Sequence, residues 1–173
     1  GTKYTQVFMV TTEELLEDLN SNLENYGLEL TEMIIGSNRT GYSVNGGDTW
    51  KILPDCVEGF EVKTSSSLKD FLGCVEEIEL SLFASDDADA ERNGEYIRAL
   101  IKTFTPGAED LVEETLGIYG EPMSKAVVTE GVRQYTFSGV QYSYIQGTSS
   151  NSGKLIICPD IIISEDSQQS VIK

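Results

Sequence analysis

The sequence contains no histidine. That absence removes Ser-His-Asp and Cys-His nucleophilic sites, His-ligated zinc, and the side chain that ordinarily changes charge near neutral pH. Cysteine is scarce. Cys56, Cys74 and Cys158 lie too far apart for a Cys-x-x-Cys metal or redox motif, and their odd number leaves at least one unpaired. A Cys56–Cys74 bridge is open to the chain and would contribute about 3 kcal/mol by closing the loop between them; the other reading is three small, buried apolar side chains. Basic residues are also few. Twelve Lys and Arg against 29 Asp and Glu give a formal charge of −17, which repels phosphate backbones and anionic headgroups, so nucleic acid is not expected as a partner. A charged partner should be cationic, although charge of this size also serves simply to keep a protein soluble. No apolar run approaches the roughly 20 residues that span a bilayer, and no charged-then-apolar leader is present. The chain begins Gly1-Thr2-Lys3 and not with Met. A trimmed N-terminus is therefore expected, as in a secreted protein or lipoprotein, with any membrane attachment running through a lipid anchor outside this chain; a cut-out cytosolic domain would begin the same way.

What is present is enough for a core: 173 residues, 39% of them hydrophobic. That length suits one ordinary domain or two small ones of about 80 residues. The stretch from Ala108 to Asp160 organises the pattern. A short acidic helix (Glu109 to Leu116) runs into a Gly117-x-x-Gly120-x-Pro122 corner and then into strand-like segments at Ala126–Thr129, at Gln134–Ser138 and at Val140–Tyr144. The corner is not a phosphate loop, because Pro122 is present, no Lys-Ser/Thr follows, and the helix precedes it. It reads as a helix stop. Ser138-Gly139 allows only a tight reversal or a bulge, and Lys154–Cys158 reads as a central strand extended past Pro159 by Ile161–Ile163. The polar tail from Ser164 is expected to fray.

Upstream, Lys3–Val10 is β-prone, and Thr11 with Glu14 has the form of a capping box. Leu15, Leu16, Leu19, Leu23 and Tyr26 recur at helical spacing, and Gly27 is placed to end that helix. Strand-length segments follow at Leu28–Ile35, Thr40–Val44, Thr49–Leu53 and Gly59–Thr64, with Asn45-Gly46-Gly47-Asp48 as a hairpin signal. Glu77, Glu79 and Ser81 alternate with Ile78, Leu80 and Leu82, as in a half-buried strand. The polar run Ser85–Asn93 marks a module boundary. From Asp87 its oxygen spacing resembles the start of an EF-hand loop, but Arg92 stands where the obligatory Gly belongs and Arg98 where the bidentate Glu belongs. It reads as a solvated linker and acidic helix start, and no metal or cofactor is expected. Tyr96, Ile97, Leu100, Ile101 and Phe104 then define another amphipathic helix, stopped by Pro106-Gly107.

The expected fold is α+β: antiparallel sheet or sheets with amphipathic helices on one face. Two helix-plus-sheet modules, 1–86 and 87–164, precede a polar tail at 165–173, and their shared order of acidic helix, corner and strands leaves a tandem duplication open, with the two sheets side by side or packed together. A short helix ending Leu116-Gly117-x-x-Gly120-x-Pro122 before antiparallel strands resembles small envelope lipoproteins of the outer-membrane assembly type, and the tandem helix-and-sheet unit of the β-lactamase inhibitor protein. The resemblance covers about 50 residues by pattern. It implies a non-catalytic, envelope-associated binding module; three cysteines cannot reproduce the inhibitor's paired disulfides, so inhibition is not implied.

Function follows from these limits. The expectation is a secreted or lipid-anchored bacterial cell-surface protein, extracellular or in the envelope, that is not an enzyme and acts by contact with an unknown protein or small ligand. Tyr135, Tyr142 and Tyr144 are the candidate contact surface, since an antiparallel sheet with one uncovered face can present tyrosines to a partner; the competing reading places them in the core. Trp50, beside the hairpin signal, is a further candidate ligand platform or core residue. One rival is a small carboxylate-dependent hydrolase such as a glycosidase, which needs only Asp and Glu. Another is a structural module of a larger surface protein.

Overall fold

Thr11 sets where the first helix begins. Its hydroxyl accepts from the Glu14 amide at 3.3 Å, and Glu14 Oε1 accepts from the Thr11 amide at 3.1 Å, so two amides of the first turn are satisfied reciprocally. Helix α1 (Thr12–Glu24) then buries Leu15, Leu19 and Leu23 while Glu13, Glu17, Asp18 and Glu24 stay outside. Gly27, at φ 71°, turns the chain out and Leu28 N donates to Leu23 O. Tyr26, expected on the buried stripe, falls past the helix end and is exposed.

The structure is a computed structural model and describes residues 6–34, 39–43, 59–65, 72–84, 86–147, 153–160 and 170–172. The hairpin signal at 45–48, the strand expected at 49–53, Trp50, Cys56 and Ile161–Ile163 lie outside the described residues.

Asp86 caps the second helix, accepting from the Asp89 amide at 2.8 Å. The acidic run is thus the opening turn of α2 (Asp87–Phe104), where carboxylates oppose the helix dipole. Tyr96, Ile97, Leu100 and Ile101 are buried on one face of α2, and the Phe104 ring lies 4.7 Å from that of Phe8. Helix α3 (Glu109–Leu116) follows after a sharp break at Pro106-Gly107. Arg98 ties the two together, with Nη1 2.8 Å from Asp110 and 3.2 Å from Glu113. Asn22 Nδ2 donates to Thr103 Oγ1 at 2.9 Å and ties α1 to α2.

The strands are β1 (Gln6–Phe8), β2 (Thr31–Ile34), β3 (Arg39–Ser43), β4 (Gly59–Thr64), β5 (Val75–Leu82), β6 (Val127–Thr129), β7 (Val132–Phe137), β8 (Val140–Gln146), β9 (Gly153–Pro159) and β10 (Ser170–Ile172). Eight of them form one antiparallel sheet in the order β2-β3-β4-β5-β9-β8-β7-β6. The fold is α+β, with the helices on one face. Residues 1–86 supply α1 and β2–β5, residues 87–164 supply α2, α3 and β6–β9, and the two sets join edge to edge where Ile78 pairs with Ile157 and Leu80 with Leu155. Side chains from both, including Leu19, Phe60, Ile78, Leu100, Leu116, Tyr142 and Ile157, enter one core. Of the arrangements the sequence left open, the two sets of strands lie side by side in one sheet and share an interior.

One expectation is corrected. Ser170–Ile172, placed in a frayed polar tail, pairs in parallel with β1 through the apolar Val171-Ile172 segment. Cys74 and Cys158 carry free thiols, so of the two readings left open for Cys74 the structure has the unbridged one. No helix among the described residues is long and apolar enough to cross a membrane.

Candidate functional site

The corner after α3 is built around Gly117. Its φ of 66° is a left-handed conformation, and a Cβ there would overlap the Glu121 carbonyl and the Pro122 nitrogen, so glycine is required twice over. The turn closes through Ile118 N to Glu113 O at 3.1 Å, Gly120 N to Gly117 O at 3.0 Å and Met123 N to Thr115 O at 2.9 Å. Arg133, from β7, then reaches across. Its Nη1 donates to the carbonyls of Leu116, Gly117 and Gly120 at 3.2, 2.7 and 3.2 Å, and its Nη2 to Gln146 Oε1 at 2.8 Å. A cation on the last carbonyls of a helix suits the macrodipole and fixes the corner to the sheet.

On this support sits an exposed apolar group. Tyr119 (56% exposed), Met123 (53%), Val127 (61%) and Val128 (52%) fall within ten residues of sequence. Tyr119 and Met123 line a shallow recess of about 360 Å³ together with Glu113, Glu114 and Glu121. Val128 pairs with Arg133 and shares its sheet face, while Val127 pairs with Gln134 on the other. Beyond β6 the sheet has no further strand among the described residues.

The electrostatics of the recess centre on Glu113. Burial pushes its carboxyl above the usual range, partly offset by the Arg98 guanidinium, while Asp110 and Glu109 push in the same direction as burial. Partial burial, then the Glu113 carboxylate, push the Tyr119 phenol up to about 12, even though more than half of that residue is open to water. Tyr144 and Tyr26 are near enough to add to that shift.

The tyrosines expected to form a contact surface are elsewhere. Tyr142 and Tyr144 are 0% and 1% exposed, on the helix-covered face of β8, where they lie in register with Ile157 and Leu155. They are core, and the exposed tyrosine row is corrected. The reason is register: the residues of β7 and β8 on the open face are Val132, Gln134, Thr136, Gln141, Ser143 and Ile145. Tyr142 and Thr105 share a hydroxyl hydrogen bond of 2.6 Å; the Tyr144 hydroxyl has no partner. Tyr135 is half-buried, pairs with Tyr142 and tilts against Phe137 with ring centroids 6.4 Å apart.

The open face is mixed: Val132, Ile145 and Ile156 lie on it among polar side chains that engage one another. Lys154 Nζ meets Glu79 Oε1 at 2.6 Å, Gln134 Nε2 donates to Ser143 Oγ at 3.3 Å, and Thr136 Oγ1 to Asp160 Oδ2 at 3.2 Å. Cys158 lies there too, its thiol pushed up to about 11 by burial and then by Glu77 and Asp160; burial and then Glu14 raise Cys74 as well. Both are held protonated, the reverse of an activated nucleophile. Among the described residues no group of three Cys, Asp or Glu side chains is arranged to hold a metal ion.

Periodicity did not single out Tyr119, Met123, Val127 or Val128, because they stand in a turn and a three-residue strand where no period is established. The available signal was four large apolar side chains in a stretch otherwise made of Gly, Pro, Ser, Lys, Glu and Ala. No protein-family model, curated protein or solved structure matches this chain.

Proposed function

We propose that this protein is a non-catalytic binding module whose contact site is the Gly117–Thr129 corner. The observation that carries the reading is the exposed set Tyr119, Met123, Val127 and Val128 mounted on a corner that Arg133 and Gly117 hold rigid. Tyrosine and methionine are enriched in protein interfaces, and a patch that needs no reorganisation loses little entropy on binding. The open sheet face supports the reading less well, since its apolar side chains are interspersed with polar ones that already hydrogen-bond or ion-pair with one another. The secreted or lipid-anchored cell-surface setting belongs to this proposal and is supported by the acidic composition; recovery of the native protein in the cytosolic fraction would overturn it. To test the contact site, immobilised protein and its Tyr119→Ala/Met123→Ala variant are incubated with extracts of the source cells, and the retained proteins are quantified by mass spectrometry. A partner held by the native protein and lost from the variant is expected. Equal retention by both would remove the corner from consideration.

The hydrolase reading has one point in its favour, the raised carboxyl of Glu113 among the carboxylates of a recess. Against it, Glu113 is engaged by Arg98 and the recess is shallow. Turnover of a glycoside panel that vanishes in Glu113→Gln would establish it; we expect no turnover.

A further inference from the structure

Three carboxylates line the corner recess, and among the described residues one of them is met by a cation. Glu113 pairs with Arg98, whereas Glu114 and Glu121 have no ion-pair partner. Tyr119 and Met123 line the same recess. A tyrosine face beside unpaired carboxylates is the environment that favours a cation, through the ring quadrupole and through charge together.

We propose that the recess takes a cationic side chain, arginine or lysine, presented on an exposed segment of a protein partner. The inference rests on the corner being the contact site and specifies the chemistry that fills it. An open recess of about 360 Å³ is at the small end for an enclosed free ligand and suits one long side chain offered from another surface. The chain's charge of −17 draws basic segments towards it and disfavours acidic ones. The wider depression at the end of α1, lined by Glu17, Glu24 and Glu29, has carboxylates but no aromatic wall, which makes it the natural control.

The test uses a fluorescein-labelled peptide of arginines spaced by glycines, followed by anisotropy at physiological ionic strength. Glu114→Gln/Glu121→Gln should weaken binding by about tenfold, and Tyr119→Ala likewise, while Tyr119→Phe, which keeps the ring face, binds as the native protein does. The charge-matched Glu17→Gln/Glu24→Gln variant should change affinity by less than about twofold. Glu114 and Glu121 are exposed, so these variants fold, and unchanged thermal unfolding checks it. Equal weakening by both carboxylate pairs would overturn the proposal, because bulk attraction would then explain the binding. A natural partner whose capture needs Tyr119 and Met123 but is indifferent to Glu114→Gln/Glu121→Gln would also overturn it while leaving the corner as the contact site. Capture indifferent to Tyr119→Ala/Met123→Ala removes both.

Discussion

Tyr142 and Tyr144 sit two residues apart on one strand, both sealed beneath the helices, yet their hydroxyls differ. One shares a 2.6 Å bond with Thr105, and the other has no partner. Removing a satisfied buried hydroxyl should cost about 1 kcal/mol, whereas removing an unsatisfied one should be neutral or stabilising. Tyr142→Phe is therefore expected to lower the unfolding midpoint in urea and Tyr144→Phe to leave it unchanged or raise it; the opposite order would refute the assignment. Glu113 supplies a pH test. Its folded-state pKa is raised, so the folded chain holds this proton more tightly than the unfolded chain, and its contribution favours folding at acid pH and declines as pH rises through and above the ordinary 4.5. The stability of the native protein relative to Glu113→Gln should fall as pH rises across that window. A gap that instead widens in favour of the native protein would mean that the Arg98 pairing outweighs burial.

At the scale of elements, the α3 corner depends on one backbone conformation and one cross-strand cation. In Gly117→Ala the left-handed conformation alone costs about 1–2 kcal/mol, and overlap with Glu121 and Pro122 adds to it. Arg133→Met removes three charge-assisted contacts, to the carbonyls of Leu116, Gly117 and Gly120, and should cost about 2 kcal/mol. Both should lower the melting temperature, by roughly 2–4 °C for each kcal/mol in a protein of this size. Much of this level was legible in the sequence, because the signals are local. Thr11 and Glu14 mark the start of α1, Pro106-Gly107 the end of α2, and Gly117 the end of α3, each by a requirement that acts within four residues. The face of a strand is not local. Alternation places Tyr142 and Tyr144 together, but the side that the helices cover is decided by α3 packing on β7 and β8.

Across the whole molecule, the union of the two sequence halves was the least legible feature, since the pairing of β5 with β9 links residues separated by about half the chain and leaves no short-range mark. It also dictates how the protein unfolds. With Leu19, Phe60 and Ile78 in the same interior as Leu100, Leu116, Tyr142 and Ile157, neither half has a complete core of its own. We expect one cooperative unfolding transition, with Leu19→Ala and Leu116→Ala each shifting all of it; two transitions moved separately would show two independent modules. The same arrangement puts the α3 corner and β6 at one end of the sheet, where Tyr119, Met123, Val127 and Val128 face solvent beside unpaired carboxylates. The contact role of that end is tested most directly by photo-crosslinking. A photoreactive amino acid is placed at Met123 in one sample and at Gln141, on the open sheet face and two strands in from β6, in another, and adducts are collected in extracts of the source cells. A partner adduct from position 123 and none from position 141 is the expected result; adducts from position 141 alone would contradict the assignment of the corner as the binding site.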